Sequence, residues 1–180
     1  MSGKIKGDLY MNKITVGGLL LSVLLISGCS RANGYDDYTA GDLRARNHVK
    51  GITINGFTVN GYRVPRLGGG YCCIMLPEKW TPDLKAHIEW EVDPNTVPEF
   101  PGYEDEEKYK AWEEALLKSY QKYSTTVAIP QYGVDRCGLT VHFLPCHQVK
   151  VTTACVGYGT PDYPIKEPLN MTEPASCPVK

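Results

Sequence analysis

Between Gly51 and Val64 apolar side chains (Ile52, Ile54, Phe57, Val59, Tyr62, Val64) are set among polar ones, interrupted by the steps Asn55-Gly56 and Asn60-Gly61. Asn and Gly tolerate positive φ, so an Asn-Gly step between alternating residues signals a hairpin turn or a bulge. After Gly68-Gly69-Gly70 comes the apolar run Tyr71 to Leu76, a short strand entered through a turn or a close strand approach. Ala86, Ile88, Trp90 and Val92 alternate with His87, Glu89 and Glu91, which predicts a strand with one wet face and His87 pointing to solvent. Thr125–Ile129, Leu139–Leu144 and Gln148–Thr152 complete the set of strands, the last two flanking a turn at Pro145-Cys146-His147.

One stretch has a different period. From Glu104 to Tyr123, the residues Tyr109, Trp112, Leu116, Tyr120 and Tyr123 recur every three or four positions. That spacing predicts one helix with an aromatic-rich stripe. Acidic residues 104–107 at its start and Lys118 and Lys122 near its end suit the helix dipole. The stripe is expected to pack on the sheet and leave the charged face outward. The tail from Gly157, rich in Pro, Gly and Tyr, reads as irregular surface chain. The fold class expected is mainly β with one inserted helix (α+β), a small antiparallel sheet or sandwich domain over residues 48–180.

The first 29 residues follow another logic. Lys13, with Lys4 and Lys6 upstream, leads into an apolar run from Ile14 to Ile26, then Ser27-Gly28-Cys29. The run is short of the roughly 20 residues that span a bilayer and has the three-part build of an export signal. Small residues before a cysteine match a bacterial lipoprotein signal over residues 1–28, with Cys29 as the acylated residue; Met11 is the more natural start. Several acyl chains give stable anchoring, at about 0.8 kcal/mol per buried methylene. Ser30, where an inner-membrane retention signal places Asp, favours the periplasmic face of the outer membrane. Residues 29–47, polar and without apolar periodicity, read as a flexible tether.

Charge and cysteine content narrow the classes further. The chain has 19 basic and 20 acidic residues. Losing residues 1–28 leaves 16 against 19, a formal charge of −3 with no basic stripe, so nothing points to nucleic acid. Beyond Cys29 stand Cys72, Cys73, Cys137, Cys146, Cys155 and Cys177. An even number in an oxidising compartment predicts disulfides. With the turn centred on Cys146, antiparallel partners pair Val141 with Val151 and Phe143 with Val149 on one face. The same register sets Cys137 opposite Cys155, a predicted disulfide. Cys72 and Cys73, adjacent on a strand, should face opposite sides and stay unbonded to each other. Three cysteines with eight residues between successive members (Cys137, Cys146, Cys155) lack zinc-ligand spacing despite nearby His142 and His147, so no metal and no cofactor are expected.

The sequence has no nucleophile elbow and no H-E-x-x-H motif. Its consecutive acids at 104–107 point in different directions around a helix. The expectation is a protein without catalytic residues and without a small-molecule substrate. Two segments, however, resemble a family. Gly68-Gly69-Gly70-Tyr71-Cys72-Cys73-Ile74-Met75-Leu76-Pro77-Glu78-Lys79-Trp80-Thr81-Pro82, running on to Ile88-Glu89-Trp90, is similar to the signature of a family of small bacterial lipoproteins originally of unknown function. Val127-Ala128-Ile129-Pro130-Gln131-Tyr132, Leu139–Pro145, Val149-Lys150-Val151 and Tyr158–Pro164 carry it further. Four cysteines (137, 146, 155, 177) and the helix depart from that signature.

The resemblance implies association with type VI secretion, as an immunity protein that binds and neutralises a phospholipase effector in the periplasm. A structural or accessory envelope lipoprotein without inhibitor activity is the alternative. For an inhibitor, the partner surface expected is the charged helix face (Glu106, Glu107, Glu113, Glu114) or the loop Gly68, Gly69, Gly70. Trp and Tyr dominate interface hot spots, which also makes Tyr103, Trp112 and Tyr120 candidate anchors.

Overall fold

The structure, a computed structural model, describes residues 37–178. The signal segment and Cys29 lie outside the described residues. Eight strands form two four-stranded sheets. In order these are β1 (Tyr38–Asn47), β2 (Thr53–Val59), β3 (Tyr62–Val64), β4 (Tyr71–Pro77) and β5 (Lys85–Asp93). Helix α1 (Glu106–Ser119) follows, then β6 (Gln121–Ala128), β7 (Leu139–Leu144) and β8 (Gln148–Thr152). The first sheet runs β4-β1-β7-β8 and the second β3-β2-β5-β6. This is the mainly β, one-helix architecture that the alternation predicts.

The two sheets close on one core. Leu43, Ile74, Leu76, Leu139, Val141, Phe143 and Val151 from the first meet Ile54, Phe57, Val59, Ile88, Trp90 and Val92 from the second. Phe143 stands between sheets, its ring 5.6 Å from that of Phe57 and 5.4 Å from that of Trp90. The strands alternate as a sandwich requires, with one face inward. Both Asn-Gly steps do what their chemistry allows: Asn60 (φ 50°) and Gly61 (φ 85°) make the β2–β3 hairpin, and Asn55-Gly56 marks a shift in the β2–β5 register.

Three expectations need correction. Residues 38–47 are not tether but β1, which pairs antiparallel with β4 and in parallel with β7. Its own pattern is weak because Gly41 and Ala45 sit where larger apolar residues would announce a strand. Gly41 has to be small, since a Cβ there would fall 2.4 Å from the Gly138 Cα. The helix is shorter than 104–123: it ends at Ser119, and Tyr123 belongs to β6. The tail is not all surface, since Tyr163 and Ile165 are buried and Met171 bridges to Val49.

The helix stripe also departs from expectation. No α1 residue is fully buried. Tyr109, Trp112 and Leu116 are half-buried. The aromatic pair of the stripe packs on the Pro-rich segment just before the helix: the Phe100 ring is 5.1 Å from that of Trp112, and the Tyr103 ring 5.5 Å from that of Tyr109. The Trp112 indole N–H donates to the Pro98 carbonyl at 2.9 Å. Asp105 caps the helix by accepting from the Lys108 N–H, the interaction that stabilises a helix start. Residues 98–119 thus build a local aromatic cluster of their own. Among the described residues no helix is long and apolar enough to cross a membrane.

Disulfides fasten the first sheet. Cys137 is joined to Cys155, as the register requires, since β7 and β8 pair Val141 with Val151 and Phe143 with Val149. Cys146 is joined to Cys177, tying the β7–β8 turn to the end of the chain. Cys72 is joined to Cys73, against the expectation of opposite faces. The peptide between them is cis.

Candidate functional site

The outer face of the first sheet is polar. Register sets Arg44 beside Thr140 and Arg46 beside His142, and these alternate with the inward Leu43, Leu139 and Val141. A charged strand face ordinarily meets water. Here the C-terminal segment crosses part of it, and His48 and His142 end up with no exposed surface.

Burial forces these polar groups to find partners, and they do so in a chain. The His48 Nδ1 lies 3.0 Å from the Pro168 carbonyl, which can only accept, so Nδ1 carries the proton. The His48 Nε2 is then the acceptor for the His142 Nδ1–H at 2.7 Å. The His142 Nε2 in turn accepts from the Tyr163 hydroxyl at 2.7 Å. Both imidazoles are satisfied in the neutral form, each with one donor and one acceptor nitrogen. Burial first, and then the positive charge of Arg46 beside it, lower the His142 pKa to about 4. Burial raises the Tyr163 phenol above its ordinary value, while a hydrogen bond from Thr140 works the other way. Neither group is poised near neutrality, where a general acid or base works best.

Above this chain opens a cleft of about 420 Å³, lined by Arg44, Arg46, Gly68–Gly70, Thr140, Tyr163 and residues 154–158. Arg44 pairs with Asp42. The Arg46 guanidinium stands 4.8 Å from the centre of the Tyr158 ring, a cation–π arrangement. Among the described residues Arg46 has no carboxylate partner. Gly70 has a steric duty, because a Cβ there would come 2.7 Å from the Asp42 carboxylate that holds Arg44. The disulfide from Cys137 pins the wall at Cys155.

The residues singled out in the sequence therefore divide. Gly68, Gly69 and Gly70 form one wall of the cleft, and no α1 residue lines it. Glu106, Glu107, Glu113 and Glu114 are exposed on α1. Glu106 pairs with Lys110 at 2.5 Å and Glu114 with Lys118 at 2.6 Å, and Glu113 accepts from the Tyr109 hydroxyl. The hydrogen bond and charge of Lys118 lower the Glu114 pKa. Only part of that acidity is left for a partner. Tyr103 is 78% exposed and Phe100 45%, so the aromatic surface lies at the start of the helix rather than along it.

Arg46 is not legible in the sequence because residues 29–47 carry no apolar period, and His48, just beyond them, has no local motif beside it. His142 was placed on a strand correctly, but its partner is 94 residues away, and no local signal joins the two. The register of β1 against β7 is the missing information.

A second hollow, about 460 Å³, lies on the second sheet around Gly56, Arg63, Glu89, Glu91 and Lys122; its acids and bases are mixed. One group of metal-ligating types, Cys146, Glu173 and Cys177, is already committed. Its two sulfurs bond each other, leaving no thiolate to bind a metal, and the Glu173 carboxylate accepts from the Cys146 N–H at 2.8 Å.

No curated protein and no solved structure matches the chain. A family match covers residues 46–151, from Arg46 on β1 through Val151 on β8, and so takes in both sheets and the Arg46–His142 neighbourhood. Over that span, more than half of its length, the chain belongs to the DUF3304 family, described as a protein of unknown function.

Proposed function

We propose that this protein is a periplasmic binding protein, anchored to the outer membrane through Cys29, that neutralises a type VI secretion phospholipase by covering its active-site mouth. The observation that carries the reading is the helix with its aromatic cluster. A 14-residue helix that buries none of its residues in its own domain contributes little to the core. Residues 98–119 instead display Phe100, Tyr103 and Leu117 to solvent. Tyr and Trp are enriched among the few residues that carry most of the binding energy at protein interfaces, and a lipase mouth is apolar. Disulfide bonding of six cysteines supports an oxidising compartment, and the export-type segment ending at Cys29 supports the anchor.

The alternative, an accessory envelope lipoprotein without inhibitor activity, has the same anchor and the same fold. A pull-down separates the two. The purified protein is expected to retain a lipase encoded beside its own gene, in a complex stable to gel filtration. Retention of secretion-apparatus components in place of a lipase would favour the alternative.

A further inference from the structure

The cleft over β1 is cationic in a protein whose net charge is negative. Its formal charge can be read from its residues. Arg44 and Arg46 supply two positive charges, Asp42 removes one through its pair with Arg44, and the other lining groups (Gly68–Gly70, Thr140, Tyr158, Tyr163) are neutral. Arg44 and Arg46 project from the same strand face, about 7 Å apart along the chain direction. Between them and the glycine loop lies room for a small group, and no carboxylate of the described lining occupies it.

We propose that this cleft is a receptor for a single carboxylate, the side chain of an Asp or Glu presented by the bound partner protein. The identity of the partner rests on the inhibitor reading; the chemistry of the cleft does not. A surplus of one positive charge matches one carboxylate. A phosphate monoester carries about −1.5 to −2 at neutral pH and would leave charge uncompensated. Arg46 is the receiving group, with two N–H edges in a fork that fits a carboxylate bidentately. The Tyr158 ring beneath it holds the guanidinium plane and blocks one of its faces. Arg44, held by Asp42, is set in place by the pair that the missing Cβ of Gly70 makes room for. The disulfide at Cys155 keeps the opposite wall from opening.

The test uses the full lipid-anchored protein in phosphatidylcholine nanodiscs, labelled with nitrogen-15. It is titrated with N-acetyl-glutamate N-methylamide, with inorganic phosphate and with phosphatidylglycerol vesicles. The carboxylate probe should shift the Arg46 Nε–H and the Gly69 and Gly70 amides saturably, with a Kd in the millimolar range. Arg46→Gln should weaken that Kd at least fivefold with no change in thermal midpoint. Gly70→Ala should weaken it less, through Arg44. Tighter binding of phosphate, shifts with vesicles alone, or no shift with any probe would overturn the proposal. A cleft that binds the carboxylate in a protein that retains no lipase would leave the cleft standing and remove the inhibitor reading. A protein that binds its lipase equally well as Arg46→Gln would place the cleft outside that interface and overturn the proposal.

Discussion

Burial between β7 and the C-terminal segment holds the His142 pKa near 4, and the consequence for stability has a definite sign. The folded protein keeps the imidazole neutral down to that value, whereas the unfolded chain protonates it around 6.5. Above pH 6.5 neither state carries the proton and the stabilisation is complete. As pH falls from 6.5 towards 4 the unfolded state gains a proton that the folded state refuses, and stability is lost. The ceiling is on the order of 3 kcal/mol, from about 1.4 kcal/mol for each pH unit. Arg46, Glu167, Lys150, Tyr158 and Tyr163 surround the site, and of these Arg46 opposes protonation while Glu167 favours it. Urea denaturation at pH 7 and at pH 4.5 should show this fall. The His142→Phe variant should be less stable at both values, because the His48 Nε2 and the Tyr163 hydroxyl lose their partner at about 1–3 kcal/mol each. Its slope over this pH window should be flatter. An unchanged slope in His142→Phe would assign the titration to another group.

At the scale of elements, the period of two was legible wherever a strand had one face in the core. Ala86, Ile88, Trp90 and Val92 are buried on β5 as their alternation requires, and the turn centred on Cys146 fixed the β7–β8 register and with it the Cys137–Cys155 bond. Elements whose order comes from neighbours were not legible. The strand β1 has Gly41 and Ala45 on its inward positions and is ordered by β4 and β7. The helix shows a stripe that reads as core, yet its partners are Phe100 and Tyr103 in the preceding segment; periodicity reports that a face is apolar, not what covers it. Two measurements follow. Charge reversal at Glu106, Glu107 and Glu113 should leave the thermal midpoint within about 2 °C of the parent and slow association with the lipase roughly tenfold at low salt, as rim charges act on the on-rate. Unchanged stopped-flow kinetics would make the helix face a bystander. Replacing Cys137 and Cys155 together by Ser should cost about 3 kcal/mol through the loop of 18 residues they close. A loss below 1 kcal/mol in chemical denaturation would mean that the β7–β8 hairpin holds its ends without the bond.

The whole molecule combines a disulfide-fastened sandwich, a helix that stands outside its core and a cationic cleft on the opposite kind of surface, polar and floored by Thr140 and Tyr163. A protein that only had to persist in the envelope would need the first of these. The other two are surfaces: exposed aromatic rings in one, and in the other an arginine that, among the described residues, has no carboxylate partner. Both are expected of a chain selected to bind another protein. Titration of a type VI secretion phospholipase, its activity followed on phospholipid vesicles, against increasing amounts of this protein tests that proposal directly. Activity should fall linearly to near zero at one inhibitor per enzyme, and substitutions at Tyr103 or Trp112 should shift the endpoint or abolish the fall. Full lipase activity in the presence of a severalfold excess of folded protein would contradict it.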